Sequence, residues 1–196
     1  MKVVGFAGFS GCGKTTLVEQ LIPELRLQGL RVSVVKHAHH HFDIDHVGKD
    51  TWRHRKAGAY EVAVASDRRL AVMREFESPG ALSVHALLAE LDAGVDWVLV
   101  EGFKESDLPK VEVWRMPSPD YRERPARYPE DPHIVAVATD AAPAGLPVPT
   151  TLPVFDVRDP HALANWLLAQ GGRFDYARPA APASAAAVPP HPAGAL

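Results

Sequence analysis

The stretch "KVVGFAGFSGCGKTT", residues 2–16, joins a short apolar run to a glycine-rich turn and the start of a helical pattern. It fits G-x-x-x-x-G-K-[ST], with Gly8, Gly13, Lys14 and Thr15 at the fixed positions. Glycines let the backbone wrap around an anion so that N–H groups point inward, and the following helix directs its positive dipole end there. The stretch therefore predicts a phosphate-binding P-loop, in which Lys14 contacts the β- and γ-phosphates and Thr15 ligates Mg²⁺.

Beyond this stretch, short β-branched runs alternate with longer segments of helical periodicity. We expect strands at residues 2–9, 31–37, 60–66, 69–75, 96–103, 110–116 and 133–140, and helices at 14–29, near 80–93 and at 159–170. This alternation predicts a three-layer α/β fold of the P-loop NTPase type with a largely parallel sheet. The runs 60–66 and 69–75 are separated only by Asp67 and Arg68, which predicts an antiparallel hairpin on one side of that sheet.

The length of 196 residues suits one domain, since cores of roughly 100–200 residues are the usual unit. We predict a nucleotide-binding domain over residues 1–171. From residue 172 onward the chain is rich in Ala and Pro, as in "ARPAAPASAAAVPPHPAGAL" (177–196). Repeated proline breaks helices and sheets, and few large apolar groups are present, so residues 172–196 are predicted to form a disordered tail.

Charge and cysteine content exclude several classes of protein. The formal net charge of −3 lacks the basic character of a nucleic-acid-binding protein. Cys12 is the single cysteine, so neither an intramolecular disulfide nor a cysteine-based zinc site is possible. No apolar run approaches the ~18 residues that a membrane span needs, and no secretory leader pattern opens the chain. We therefore expect a cytoplasmic protein.

A carboxylate ends the predicted strand in "WVLVEGFK", residues 97–104. P-loop proteins usually place an acidic residue at the end of a second strand to organise magnesium, and Glu101 stands there, although Asp is the more common residue. Its longer side chain would hold the metal through a water or position the attacking water. The alternative is a simple charge at the edge of the sheet, but ligands of open α/β sheets gather at this end of the strands.

The segment "KHAHHHFDIDHVGKDTWRHRKAGA" (36–59) holds six of the ten histidines of the chain, together with several carboxylates. Histidine and carboxylate together suit a transition metal, which would indicate a metal carrier. Anion recognition is the competing interpretation, with cations at Lys36, Lys49, Arg53, Arg55 and Lys56 and with Asp45 or Asp50 completing a magnesium shell. A solvated polar loop is the third.

Five segments together carry a resemblance to a known family. They are "GFSGCGKTT" (8–16), "KHAHHHFDIDHVGKD" (36–50), "RKAGA" (55–59), "VEGFK" (100–104) and "IVAVATD" (134–140). In this combination the chain resembles the MobB family over roughly residues 1–170. The histidine segment and VEGFK are far more specific than the P-loop alone.

The resemblance implies a dimeric GTP-binding protein of molybdenum cofactor biosynthesis. It implies an adapter for MobA, the enzyme that joins GMP to molybdopterin, with Mg²⁺ as companion cation and weak GTP hydrolysis at most. It assigns phosphate binding to Gly11, Gly13, Lys14, Thr15 and Thr16, and metal binding to Thr15 and Glu101 with Asp45 or Asp50. It further implies that an anionic site for the molybdopterin phosphate is lined by Lys36, His37, His39, His40, Lys49 and Lys104.

Base recognition and the class of function stay open at this point. GTPases often use [NT]-K-x-D to bind guanine, whereas this chain has only "ATD", so Asp140 either contacts the base or caps a turn. A GTP-binding adapter is favoured. A small-molecule P-loop kinase would use the same parts, but its arginine-rich lid has only "RERPARY" (122–128) as a candidate, where Pro125 indicates a loop. A metallochaperone GTPase is the third class.

Overall fold

The computed structural model describes residues 1–38, 42–76, 82–119 and 124–177. The chain divides into two compact units. The first unit comprises Met1–His37 and Ser83–Leu196, and the second comprises Ala38–Leu82. Among the described residues, no helix has the length and the apolar character that crossing a bilayer would require.

The first unit is built on a parallel sheet of six strands. In chain order they are β1 (Lys2–Ala7), β2 (Val32–Lys36), β5 (Trp97–Glu101), β6 (Lys110–Trp114), β7 (Ile134–Thr139) and β8 (Val154–Asp156). Their order across the sheet is β2-β5-β1-β6-β7-β8. The predicted largely parallel sheet is thereby confirmed. Strand β8 was not predicted, because its three residues are too few to show a pattern.

Three α-helices cover the two faces of this sheet: α1 (Lys14–Leu27), α3 (Val84–Ala89) and α4 (Pro160–Ala169). On one face α1 and α4 pack on Phe6, Leu99 and Val111, and on the other α3 packs on Val98 and Val100. Successive residues of β5 thus point to opposite cores, as the period of two requires. The result is the predicted three-layer arrangement.

Local sequence explains where two of these helices begin. Helix α4 begins after Asp159, whose carboxylate accepts from the amide of Ala162, and Pro160 occupies its first turn. Helix α3 begins after Ser83, whose hydroxyl accepts from the amide of Ala86. Both caps satisfy helix N–H groups that lack a partner within the helix. Short 3-10 helices also occur at Pro143–Gly145 and Gly171–Phe174.

The second unit contains helix α2 (Asp50–Lys56) and the strands β3 (Glu61–Ala65) and β4 (Leu70–Arg74). The predicted hairpin is confirmed, with Glu61 opposite Arg74 and Ala65 opposite Leu70. It forms a sheet of its own and does not join the six-stranded one. Helix α2 was not predicted, because it buries no residue and so lacks an apolar stripe.

The predicted domain boundary at residue 171 falls inside a folded segment. The 3-10 helix Gly171–Phe174 buries Phe174 to 1% exposure, and the carbonyl of Gly171 accepts from Lys2 Nζ at 2.9 Å. The amide of Tyr176 donates to the carbonyl of Met1. The folded part of the chain therefore continues past the predicted boundary. Residues 178–196 lie outside the described residues, and their disorder stays a prediction.

Candidate nucleotide-binding site

The register of the central strands brings three sequence segments to one edge of the sheet. Phe6 of β1 and Lys36 of β2 are both aligned with Glu101 of β5. Because all three strands are parallel, their carboxyl ends meet there, and the P-loop follows directly after Ala7. The sheet thus places Glu101 and Lys36 beside the P-loop.

The backbone of the P-loop uses glycine where its conformation demands it. Gly8, Gly11 and Gly13 have φ angles of 140°, 80° and 92°, in the region that favours glycine. A Cβ at Gly8 would also lie only 2.4 Å from the carbonyl oxygen of Val113 on β6. Helix α1 begins immediately afterwards, at Lys14. Its first N–H groups, those of Thr15 and Thr16 included, are the donors that an anion would meet.

The ammonium group of Lys14 lies on the inner side of this loop. Its Nζ donates to the carbonyl oxygens of Gly8 at 2.9 Å and Phe9 at 2.7 Å. The Sγ of Cys12 lies 3.7 Å away. Burial raises the pKa of the Cys12 thiol, although the Lys14 charge opposes it. The lysine is thus placed where phosphates would be held, and the thiol is a small buried group.

The Thr15 hydroxyl, the Glu101 carboxylate and the Lys36 ammonium group form a chain of contacts. Thr15 Oγ1 donates to Glu101 Oε1 at 2.6 Å, and Lys36 Nζ lies 3.5 Å from Glu101 Oε2. The Glu101 side chain is 11% exposed and that of Lys36 is 57% exposed. A hydroxyl and a carboxylate are oxygen ligands of the kind that Mg²⁺ takes alongside nucleotide phosphates. The residues present therefore fit the cation that the sequence predicted.

The loop after β5 has an unusual backbone. Gly102 has φ 92°, and Phe103, which is not glycine, has φ 46°. A Cβ at Gly102 would lie 2.8 Å from the Cβ of His37, whose ring packs on Phe103 with 4.7 Å between centroids. A non-glycine residue in this region costs about 1–3 kcal/mol, and such residues cluster at functional sites. This strained turn places the Lys104 ammonium group near Phe9 of the P-loop.

A buried lysine binds the backbone of the loop after β5, a role that the sequence pattern did not predict. Lys110 on β6 is 1% exposed, and its Nζ donates to the carbonyl oxygens of Lys104 at 3.1 Å and Ser106 at 2.6 Å. The same Nζ pairs with Asp131 at 2.8 Å. Burial opposes ionisation of Asp131, but its contacts with Lys110 keep its pKa below the usual value. Lys110 was predicted only as a strand residue.

The second unit contains the carboxylate of Asp45, which sequence reasoning offered as a metal ligand. Asp45 Oδ1 accepts from the Thr51 hydroxyl at 2.8 Å, and Oδ2 accepts from Arg55 Nε at 3.2 Å. Burial opposes ionisation, but these hydrogen bonds lower the pKa of Asp45 below its usual value. Arg55 also pairs with Asp43 at 3.0 Å and Glu75 at 2.7 Å. Both oxygens of Asp45 are therefore already engaged within its own unit.

The other predicted residues of the histidine segment belong to the second unit or fall outside the described residues. Lys49 immediately precedes α2, and Asp50 begins this helix with a contact to Arg53 at 3.7 Å. Their roles stay predictions. His39 and His40 lie outside the described residues. In the described parts of the chain, no group of three or more His, Cys, Asp and Glu side chains is arranged to hold a metal ion.

Asp140 follows β7 and bonds back to the segment after β6. Its Oδ1 accepts from the amide of Met116 at 3.0 Å, and its Oδ2 lies 3.4 Å from Arg115 Nε. This contact joins segments that are 24 residues apart in the sequence, so it is not the cap of a local turn. Contact with a base stays a prediction.

A protein-family model matches most of this chain. The family model described as "MobB: Molybdopterin guanine dinucleotide synthesis protein B" matches residues 3–140. The chain belongs to the MobB family. All site residues that the sequence predicted, from Gly11 to Asp140, lie within the matched range.

Named relatives and a solved structure agree with this MobB assignment. The chain is 44% identical over 140 residues to the molybdopterin-guanine dinucleotide biosynthesis adapter protein of Haemophilus influenzae, covering 70% of this chain and 74% of the relative. It is 37% identical over 175 residues to the protein of the same name from Escherichia coli, covering 87% and 95%. A crystal structure of a MobB homologue from Bacillus stearothermophilus has a TM-score of 0.60 and 28% identity, covering 87% of this chain and 97% of that one.

In this MobB chain, two further residues at the P-loop, Phe9 and Arg124, were not predicted from the sequence. The ring of Phe9 is flanked by Lys104 Nζ, 5.6 Å from its centroid, and by the guanidinium carbon of Arg124, at 5.3 Å. Phe9 occupies a variable position of the P-loop pattern. Arg124 belongs to the run "RERPARY", in which Pro125 predicts a loop. The arginine does lie in a loop, and the fold brings that loop to the P-loop.

Proposed function

We propose that this protein is a GTP-binding adapter in the biosynthesis of molybdopterin guanine dinucleotide, assisting a guanylyltransferase of the MobA type. The observation that carries the proposal is the contact of Thr15 with Glu101 at the end of the P-loop, in a chain of the MobB family. The adapter names of the relatives from Haemophilus influenzae and Escherichia coli support the pathway.

In this proposal the nucleotide phosphates lie in the P-loop. The N–H groups from Gly11 to Thr16 bind them, and Lys14 leaves the carbonyls of Gly8 and Phe9 to contact the β- and γ-phosphates. Thr15 Oγ1 and Glu101 hold Mg²⁺, directly or through water. Asp140 is proposed to contact guanine, and ligation of Mg²⁺ by Asp45 or Asp50 remains part of the proposal.

The surroundings of Glu101 favour metal positioning over activation of a water. Its carboxylate lies between the Thr15 hydroxyl, which is itself a proposed Mg²⁺ ligand, and the Lys36 ammonium group. General-base catalysis needs a group within hydrogen-bond reach of the proton that it removes. We therefore propose weak GTP hydrolysis at most, as suits a protein that carries the nucleotide.

The remaining elements of the proposal rest on the family resemblance. Lys36, His37 and Lys104 belong to the same unit as the P-loop and supply cations or hydrogen-bond donors for the phosphate of molybdopterin. His39, His40 and Lys49 complete this set in the resemblance. A homodimer follows from the resemblance in the same way, and a cytoplasmic place of action is the expectation from the sequence pattern.

Competition between GTP and ATP in Mg²⁺ tests the proposal. We expect the wild-type protein to prefer GTP, and Lys14→Ala to abolish binding of both nucleotides while the circular dichroism spectrum is retained. Arg26→Ala, which removes a guanidinium group from the last turn of helix α1, is the control and should bind normally. Undiminished affinity in Lys14→Ala would overturn the P-loop assignment.

The same titration separates the adapter from the P-loop kinase. A preference for ATP would favour the kinase and direct the search to a phosphoryl acceptor. A preference for GTP justifies the second assay, in which the protein is added to a MobA-type enzyme with GTP and molybdopterin. An adapter should raise the rate of dinucleotide synthesis, and Lys14→Ala should not.

A further inference from the structure

Two cations converge on one aromatic ring of the P-loop. Lys104 Nζ lies 5.6 Å and the guanidinium carbon of Arg124 lies 5.3 Å from the centroid of Phe9. Both distances fall within the roughly 6 Å range over which the face of a ring attracts a cation. Phe9 thus holds an ammonium and a guanidinium group next to the glycines of the P-loop.

Buried residues of β6 fix the backbone of both cations. The indole Nε1 of Trp114 donates to the carbonyl oxygen of Arg124 at 3.0 Å. The Glu112 carboxylate, 1% exposed, accepts from the amide of Tyr128 at 2.7 Å. Lys110 Nζ donates to the carbonyl oxygen of Lys104 at 3.1 Å. The backbone carbonyl groups of Lys104 and Arg124 are therefore both held by buried side chains of β6.

The charge of this pair is not neutralised inside the described structure. Within residues 1–38, 42–76, 82–119 and 124–177, no carboxylate forms an ion pair with Lys104 or Arg124. Two neighbouring cations repel each other, and a bound anion between them replaces this repulsion by attraction. Arginine and lysine are also the side chains with which proteins bind phosphate.

The position of Phe9 indicates which end of the P-loop these cations serve. The carbonyl oxygen of Phe9 accepts from Lys14 Nζ at 2.7 Å. That lysine marks the place of the β- and γ-phosphates in a P-loop. The two further cations are thus at the terminal-phosphate end of the site.

We propose that Arg124 and Lys104, held on the ring of Phe9, bind a terminal phosphate group with the charge of a phosphate monoester. The group is either the γ-phosphate of the nucleotide in the P-loop or the phosphate of a second ligand beside it. The inference rests on the proposed nucleotide binding, and it adds Arg124 and Phe9 to that site.

Three variants test this site by calorimetry in Mg²⁺. Arg124→Gln and Lys104→Gln each remove one charge, and Phe9→Leu removes the aromatic face while keeping an apolar side chain. Arg26→Gln is the matched control, because Arg26 lies in the last turn of α1, whose first turn adjoins the P-loop. Over a 14-residue helix this places it roughly 18 Å from the site. Circular dichroism should show that all four variants fold.

Affinities for GTP and GDP provide the first arm of the test. If the cations bind the γ-phosphate, Arg124→Gln and Lys104→Gln should each weaken GTP about tenfold and leave GDP unchanged, the effect of losing one charge-assisted contact. Phe9→Leu should show a smaller loss in the same direction. Arg26→Gln should match the wild type for both nucleotides.

Inorganic phosphate, titrated into protein loaded with a non-hydrolysable GTP analogue, provides the second arm. If the cations serve a second ligand, nucleotide affinities stay unchanged, and the wild type and Arg26→Gln bind phosphate while the two charge variants do not. The inference is overturned if the variants keep both GTP affinity and the phosphate behaviour of the wild type. A wild-type protein that binds neither GTP nor GDP overturns the proposed function instead, which keeps the two failures distinct.

Discussion

Glu101 is a carboxylate at a strand end with a neutral hydrogen-bond donor on one oxygen and a cation near the other. Thr15 Oγ1 lies at 2.6 Å and Lys36 Nζ at 3.5 Å. The aligned register of β2 and β5 produces the second contact, since Lys36 and Glu101 are paired neighbours across the sheet. The charge of Glu101 is thus held in place before any ligand binds, which is what a metal-positioning group requires.

We expect Glu101→Gln to weaken nucleotide binding in Mg²⁺ about tenfold, because the amide keeps the shape of the side chain but loses the charge that attracts the cation. Titrations in Mg²⁺ and in EDTA measure the effect, which should vanish in EDTA. Glu19→Gln, on the exposed surface of α1, is the control. An equal loss in EDTA would mean that Glu101 supports the P-loop structurally and holds no metal.

At the scale of elements, a histidine links two helices of the first unit. His161 Nδ1 of α4 lies 2.9 Å from Glu24 Oε2 of α1, and its Nε2 lies 2.9 Å from Asn165 Nδ2. The hydrogen bond and charge of Glu24 raise the pKa of His161 above its ordinary value of 6.5. Protonated His161 therefore strengthens the contact between α1 and α4.

The sign of the resulting pH dependence follows from the raised pKa. A group with a higher pKa in the folded state contributes stability that is fully present below its unfolded pKa of about 6.5 and is lost as pH rises through the folded value. Titration of His161 by NMR should show the raised pKa, and Glu24→Gln should return it toward 6.5. An unchanged pKa in that variant would contradict the assigned contact.

The second unit depends on Arg55, which contacts three carboxylates. Its partners are Asp43 at 3.0 Å, Asp45 at 3.2 Å and Glu75 at 2.7 Å, and the Arg55 side chain is only 13% exposed. These contacts join α2 to the segment before it and to the end of the hairpin. Backbone pairing alone gives a two-stranded sheet little stability in water.

We expect Arg55→Leu to destabilise the second unit, because it removes three ion pairs and leaves the Asp45 side chain, 7% exposed, without its cation. Hydrogen exchange at the amides of β3 and β4 should become faster. Arg53→Leu removes an arginine whose side chain is 70% exposed and should change the rates little. Equal effects of the two substitutions would show that Arg55 has no organising role.

At the scale of the whole molecule, the end of the fold lies later than the sequence pattern indicated. Phe174 packs against Trp97 and Trp166, with ring centroids 5.5 Å and 5.8 Å apart. Tyr176 stacks on His85 at 5.7 Å. These aromatic contacts extend the packing of the first unit at least to Tyr176.

Deletion of residues 178–196 should leave GTP affinity unchanged within about twofold, because the sequence of this segment has no core-forming pattern. Deletion of residues 171–196 is the contrasting variant and should lower the melting temperature, since it removes the core residue Phe174. Fluorescence titration and thermal unfolding measure both. A large loss of affinity in the shorter deletion would assign a function to the tail.

Sequence patterns predicted some features well and missed others for identifiable reasons. Each predicted strand is present. Strands of the parallel sheet appear as apolar runs, and the antiparallel hairpin appears as two runs separated by two residues. Helix α2 was missed because it has no apolar stripe, and its stability comes from Asp50 in its first turn and basic residues in its last. Lys110 and Glu112 on β6 would be expected to face solvent, yet each is 1% exposed because distant partners satisfy them.

The sequence by itself determined the P-loop and the α/β alternation. Both depend on local rules, namely glycine conformations, helix dipoles and hydrophobic periodicity, which act over a few neighbouring residues. Only the tertiary structure decided which further side chains meet at the site, as when Arg124 lies over Phe9 or Lys110 binds the carbonyl oxygen of Lys104. The first of these contacts joins residues far apart in the chain, and strand register and loop anchoring, which no local pattern contains, produce both.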